Sequence, residues 1–450
     1  MKNKLSIALL SLLSTTAFGA SFLDSVERMK WGDLDVVYIE DSKFPRFNAA
    51  IYFQDGSIND SYSGLTQGAF DQLASGTSKQ SQKEIAEFFD FYGVNLKHSV
   101  THEYSVYSVQ GLTKDIGPVM GKVCEIFNDA QYPQKELTSY ISRAKSHLKN
   151  LVTSHAALAD RIYRQISLTG TPYAVPGEGT IASYDKHTSI GLKERLTKLN
   201  NAKKVLYLTG PENVSDMKEI LTKKCNWKSE SKLVRTELSK PTPQSSIILI
   251  PVPGANQAQI RIGRYVTTEE IKGKYDNFNF LAGFLGGGFT SKLVQELRVK
   301  RGLTYSAGAY VSMQRDYGRA GIMTFSKTES ATEAISIVRD VFADVTAGKF
   351  TPEEFKHQQG HQIGGFAFGF EESNAFLSQI MLYDHQGRNL EELVKFPTTI
   401  ANLTPAALSQ ANLEAFPWDR LTIVVVGDKS LEKSLSRIRP VKVMNYQDFL

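Results

Sequence analysis

Few side chains in this chain are spaced for chemistry, and most of those fail on geometry. His357 and His361 stand four apart in a helical pattern with Glu354 one turn earlier, a spacing that turns two imidazoles toward one metal ion. No carboxylate lies between them to act as a base, so they read as a solvated polar face. His98 and His102 share the spacing, but their neighbours alternate like a strand (SVYSV), which removes the helical geometry. His102-Glu103 begins a metal-binding helix motif, then presents Val106 where the second histidine belongs. The richest stretch is 284–312, FLGGGFTSKLVQELRVKRGLTYSAGAYVS. Its glycines 286, 287 and 288 suggest a phosphate loop, but neither a GK[ST] ending nor a GxGxxG supports one. Thr290 or Ser291 suits a helix N-cap, Leu293, Val294 and Leu297 an apolar face, and Gly302 the C-cap. Tyr305 then starts an alternating strand. On spacing alone, Arg298 pairs with a surface carboxylate and Tyr305 packs.

The elements that must position these residues occur twice. DLDVVYIE and NAAIYFQDG open the first half, SIILIPV and QAQIRIGRY the second. Alternating strands follow in each, YSVYSVQG and GIMTFSK. Next come VCEIFNDAQYPQKEL and VRDVFADVTAGKFTPEEF, where Phe-x-Asp precedes a proline that opens an acidic helix start, Pro133 and Pro352. Each half closes on a buried-looking strand, VLYLTG to Gly210 and LTIVVVG to Gly427, 217 positions apart; Phe127 and Phe342 are 215 apart. A near-constant offset over such distances marks a duplicated domain. The fold predicted is α+β: two tandem similar domains, 21–227 and 247–450, each a mostly antiparallel sheet packed with helices. A charged, proline-ended linker, Lys228 to Ser246 (KSESKLVRTELSKPTPQSS), joins them.

Residues 1–20 read as an address. Lys2 and Lys4 precede the short apolar run Leu5 to Leu13, and Ala17-Phe18-Gly19 supplies small residues for cleavage between Ala17 and Ala20. The run is too short to span a bilayer, and no cysteine at the cleavage site offers a lipid anchor. An exported protein, periplasmic or secreted, is predicted. The 52 basic and 47 acidic residues are scattered rather than clustered, which argues against nucleic acid as a partner. Cys124 and Cys225 could bridge in an oxidising compartment. However, Cys124 lies in an apolar helical pattern with Val119, Val123, Ile126 and Phe127, which favours a buried thiol.

PGANQAQIRIG, LGGGFTSKLVQELR and KRGLTYSAGA resemble the second domain of the M16 (pitrilysin or insulinase-like) zinc peptidases. The likeness is closest to short bacterial members of mitochondrial processing peptidase type. It runs over nearly the whole mature chain. The resemblance implies that Arg298 and Tyr305, seven positions apart, match the arginine and tyrosine that complete the family's peptidase site. A guanidinium and a phenol suit that task, because both donate hydrogen bonds to a carbonyl becoming an oxyanion. Active members carry His-x-x-Glu-His on a helix after a Gly-Leu pair: two zinc ligands and a base, with a second glutamate some 75 residues later as third ligand. The matching stretch here is GSINDSYSGLTQGAFDQLASGT, its register held by Gly56-Ser57, Gly64-Leu65 and Gly76-Thr77. The ligand positions become Gln67 and Asp71, the base position Phe70, and the third ligand falls near His147. Phe70 cannot take a proton from a metal-bound water, and a neutral amide is a weak zinc ligand.

The resemblance therefore implies a non-catalytic subunit of a two-chain zinc peptidase. It would bind no metal or other cofactor itself, would close over a partner bearing intact His-x-x-Glu-His and zinc, and would supply Arg298 and Tyr305 in trans. The two chains would enclose unfolded peptides, which family members bind as an added β-strand. Two alternatives stay open: a homodimer or monomer that captures peptides without cutting them, and an active peptidase using Gln67, Asp71 and His147.

Overall fold

The computed structural model describes residues 23–225, 227–229, 241 and 244–450. The leader expected at 1–20 lies outside the described residues, as does most of the expected linker. Twelve strands form two six-stranded sheets among the described residues. The first holds β1 (Val26–Trp31), β2 (Leu34–Glu40), β3 (Arg46–Phe53), β4 (Asn95–Val100), β5 (Ser105–Leu112) and β6 (Lys204–Gly210), in the order β1-β2-β6-β3-β5-β4. The second holds β7 (Ile247–Pro251), β8 (Gln257–Val266), β9 (Ala307–Met313), β10 (Gly318–Lys327), β11 (Thr422–Gly427) and β12 (Val441–Val443), in the order β12-β7-β11-β8-β10-β9. In each, the opening strand runs parallel to the closing one (β2 with β6, β7 with β11), and the strands beyond pair antiparallel. The halves differ at one edge: β1 is an antiparallel hairpin strand, whereas β12 is the last strand and runs parallel to β7. Two tandem α+β domains, as the repeated pattern predicts, are what the chain builds.

The central strands explain why the closing runs are apolar at nearly every position. Each residue of β11 is buried, and so is nearly all of β6. A strand covered on both faces loses the polar–apolar alternation. One cover comes from the same half and the other from its counterpart. The helix His155–Ser167 lays Leu158, Ile162 and Tyr163 on Ile248, Ile250, Val424 and Val426 of the second sheet. Reciprocally, the helix Ser373–Gln386 lays Phe376, Leu377 and Ile380 on Val37, Ile39 and Tyr207 of the first. Burial of each such side chain contributes about 1.5–3 kcal/mol, so the exchange welds the halves together.

A buried carboxylate pins the seam. Glu103, 2% exposed, sits in the turn between β4 and β5. Its Oε1 accepts from Tyr173 Oη at 2.7 Å and the Asp316 N–H at 3.0 Å; its Oε2 faces His385 Nε2 at 2.8 Å and accepts the Arg315 N–H at 2.7 Å. Tyr173 belongs to the first half and the other three to the second. Burial opposes the charge, but the bonds from His385 and Tyr173, the nearby His385 charge and the Arg315 N–H outweigh it and hold the carboxyl below its usual range.

Cysteine is where the structure corrects the expectation. Cys124 is buried, as its pattern predicts, but it is not a thiol: it is bonded to Cys225. The helix Met217–Lys224 packs along the helix Ile116–Asp129 and brings the two α-carbons within 4.6 Å. Burial and bridging are compatible, and only the packing of a distant helix reveals the second. The strand expected to start at Tyr305 starts at Ala307 instead. Thr304 Oγ1 takes the Ser306 N–H at 3.1 Å, a local turn that delays the ladder and leaves Tyr305 74% exposed.

Two outcomes follow from the seam and the bridge. Glu103→Ala leaves His385 and two backbone N–H groups without their buried acceptor and is expected to cost about 3–5 kcal/mol in urea unfolding. Because the folded carboxyl is depressed, its stabilisation is complete above the usual carboxylate range and is lost as pH falls through the folded value. Unfolding midpoints of the native chain should therefore fall more steeply below about pH 4.5 than those of Glu103→Gln. The bridge closes a loop between residues 101 apart. Its removal in a Cys124→Ser, Cys225→Ser pair should cost about 2–4 kcal/mol, and dithiothreitol should lower the melting temperature of the native chain but not of that variant.

Candidate functional site

The segment that aligns with the peptidase helix is held by a buried arginine. Arg195, 2% exposed, donates to Asp55 through both terminal nitrogens at 2.7 and 2.8 Å, to the Gly56 carbonyl at 3.0 Å, and through Nε to Asp60 at 3.1 Å and Thr66 Oγ1 at 2.7 Å. Asp60 in turn takes the Thr66 N–H at 2.9 Å. This network anchors the first turn of the helix Leu65–Asp71. Gly64 precedes it at φ +84°, with Gly179 so close that a Cβ would lie 2.7 Å from its Cα; no other residue fits.

That helix brings Gln67, Phe70 and Asp71 together, and two residues not foreseen from the sequence complete the group. Asp71 Oδ1 accepts from Gln67 Nε2 at 2.8 Å and lies 2.7 Å from Nε2 of His98, on β4. Asp71 Oδ2 accepts from Tyr140 Oη at 2.8 Å. Burial and the Asp71 charge push the Tyr140 phenol far above its ordinary range, so it stays protonated and donates to Asp71. Phe70, 3% exposed, stacks on His98 (5.9 Å between centroids, 16° between planes) and on Tyr107, and packs edge-on to Phe53. The base position is thus part of the core. His147 lies two turns beyond Tyr140 on the helix Gln134–Asn150 and lines the same cleft, but no hydrogen bond joins it to Asp71 or His98.

Can this group hold zinc? Both Asp71 oxygens are already engaged, Gln67 offers an amide, and His147 stands apart. Among the described residues no three His, Cys, Asp or Glu side chains converge as a metal site. The donor set does not fit the metal. Hydrolysis has no route through it, since a phenyl ring takes no proton. His98 could have been found only by knowing that β4 lies against the helix. Tyr140 leaves a fainter trace, seven residues before His147 on one helical face.

Arg298 and Tyr305 form a second, separate cluster. Arg298 falls in a wide turn where the Lys300 N–H reaches the Gln295 carbonyl at 3.0 Å. Its guanidinium carbon lies 4.6 Å from the centre of the Tyr305 ring and 5.4 Å from that of Phe289, which is 61% exposed. Glu296, the carboxylate nearest in sequence, is taken by Lys300 at 2.5 Å and Arg301 at 2.6 Å. Arg298 makes no ion pair among the described residues, so neither half of the spacing-based reading holds: the arginine lacks a carboxylate and the tyrosine is not packed away. A cation between two aromatic faces beside a solvent-facing phenol keeps its donors for an incoming group. Gly286, whose Cβ would lie 2.1 Å from the Ala309 nitrogen, lets the preceding helix Tyr275–Gly286 press on β9. The glycine run is a packing device. His357 and His361 sit exposed on the helix Pro352–Phe366, as a solvated face should.

The chain is similar to known proteins along most of its length. Residues 35–171 match the insulinase (peptidase family M16) domain, and residues 200–360 match the peptidase M16 inactive domain. A Bacillus subtilis protein described as an uncharacterized zinc protease, YmxG, is 23% identical over 330 residues, 71% of this chain and 78% of its own. A Helicobacter pylori protein described as a non-peptidase homolog, YmxG, is 20% identical over 405 residues, 88% of this chain and 93% of its own. Among solved structures, a peptidase M16 inactive domain from Pseudomonas fluorescens superposes with a TM-score of 0.80 at 20% identity, covering 90% of this chain and 98% of that one. With its duplicated fold and its matches to both domains of the family, the chain belongs to peptidase family M16, and a first-half cluster in which Phe70 offers no base and Asp71 is tied to Tyr140 and His98 is consistent with a non-catalytic member.

Proposed function

We propose that this chain is the non-catalytic subunit of an exported two-chain zinc peptidase. It would close over a second M16-type chain with intact His-x-x-Glu-His, the zinc residing in that partner, and present Arg298 and Tyr305 to the partner's site. The observation that carries the proposal is the contrast between the two clusters. In the first half Phe70 is buried and Asp71 is engaged by Gln67, His98 and Tyr140, whereas Arg298 holds no carboxylate among the described residues and Tyr305 stands in solvent. Both side chains carry donors suited to a substrate carbonyl as negative charge develops on it. Unfolded peptides, enclosed between the chains, are the substrate class. The disulfide supports export, because such bonds persist in oxidising compartments, and so does the leader-like sequence of residues 1–20. No helix among the described residues is long and apolar enough to cross a membrane.

The purified chain is expected to cleave no peptide alone, to retain no stoichiometric zinc after dialysis, and to raise the peptidase rate of a partner with the intact motif. In the mixed complex, Arg298→Ala or Tyr305→Phe should lower kcat by about 10²–10³ without abolishing association. A full rate in either variant overturns the assignment. A stable homodimer that binds peptides and activates no such partner points instead to a stand-alone peptide-binding protein.

A further inference from the structure

Phe289 stands in solvent with no packing reason to be aromatic. It joins none of the apolar clusters among the described residues, so its ring forgoes the gain that burial would bring. The loop that carries it is nonetheless pinned. Ser291, itself buried, donates its N–H at 3.1 Å and its hydroxyl at 2.6 Å to the Gly288 carbonyl. Gln295 Nε2 donates to the Phe289 carbonyl at 2.7 Å. Gln295 opens the same wide turn that holds Arg298, so the loop and the arginine share one support. The other end of the loop follows the helix Tyr275–Gly286, which Gly286 seats on β9. What this arrangement fixes is a phenyl ring whose centre lies 5.4 Å from the guanidinium carbon of Arg298. The support matters because an unrestrained arginine samples many rotamers, and ordering it during a reaction costs entropy. A carboxylate would order it but would also occupy its N–H groups. An aromatic face attracts the cation and leaves the in-plane N–H fork free to donate. Tyr305 offers one such face, yet its own hydroxyl is needed at the same carbonyl. Phe289 has no polar group and serves as support alone.

We propose that Phe289 is a positioning residue: its ring holds the Arg298 guanidinium in one orientation, with its donors unspent, for the substrate carbonyl in the two-chain complex. The proposal rests on the subunit role given above and adds a third residue to the Arg298–Tyr305 pair. Phe289 acts through Arg298 and needs no contact with the reacting atoms. Its π face, rather than its apolar bulk, is what the role requires.

Two variants separate face from bulk: Phe289→Leu keeps an apolar side chain and removes the ring, and Phe289→Tyr keeps the ring. In the full chain without a partner, Arg298 is labelled with phenylglyoxal and followed by mass spectrometry. Labelling should run about two- to fivefold faster in Phe289→Leu, the range that loss of an exposed cation–π contact allows, and at the native rate in Phe289→Tyr. In the complex with a chain bearing intact His-x-x-Glu-His, Phe289→Leu should lower kcat about fivefold at unchanged KM and unchanged affinity between the chains. Phe289→Tyr should restore the rate to within about twofold of native. Arg298→Ala is measured beside them. If it keeps the full rate, the subunit role falls and the positioning role with it. If it is slow while Phe289→Leu runs at the native rate, the positioning role alone is overturned. Labelling of Arg298 that ignores the loss of the ring overturns it too. So does a Phe289→Leu chain that binds its partner more weakly at native kcat, which makes Phe289 a docking contact instead.

Discussion

The buried Glu103 carboxylate is the constraint on which the arrangement of the two halves depends. An ionised carboxyl out of water is tolerated only when its lone pairs are filled. Here the donors come from Tyr173 on one side and from His385, Arg315 and Asp316 on the other. A docking that missed by one residue would strand the charge. The apolar surfaces of the crossing helices supply the driving force for association but are poor at selecting a register, since hydrophobic contact is not directional. The polar pin selects it. Tyr52 extends the network by meeting His385 Nδ1 at 2.8 Å, so the outer face of the first sheet is tied to the same point.

With the halves fixed, the two chemical clusters have opposite characters, and the difference lies in whether their polar groups already have partners. In the first half Gln67 and Asp71 have found partners within the protein, and Phe70 is one ring in a stack with His98 and Tyr107. In the second half, Arg298 rests on aromatic faces, which attract a cation without neutralising it. The same fold thus ties one set of residues to one another and leaves the other uncommitted.

Much of this was legible in the chain. Strand alternation and helical periodicity are local signals, so β2, β3, β5 and β6 and their counterparts in the second half lie where the repeated patterns place them. That Phe70 carries no proton-accepting group was legible too, because it needs only the identity of one residue. The strand start near Tyr305 was missed by two residues, since a side-chain turn at Thr304 is not visible in hydrophobic alternation. The bridge was missed for a different reason. An apolar helix pattern predicts that Cys124 is inside, and it is, but says nothing of what lies opposite.

The sequence by itself determined the duplication, the α+β character of each half and the absence of a workable base, because each follows from residue identity and short-range period. Only the tertiary structure decided who meets whom: His98 with Asp71 across 27 residues, Tyr140 with Asp71 across 69, and His385 with Glu103 across 282. Contacts at such separations carry no periodic trace. They are selected by the requirement that every buried polar group find a partner once the apolar surfaces have closed, and that requirement acts on the folded whole.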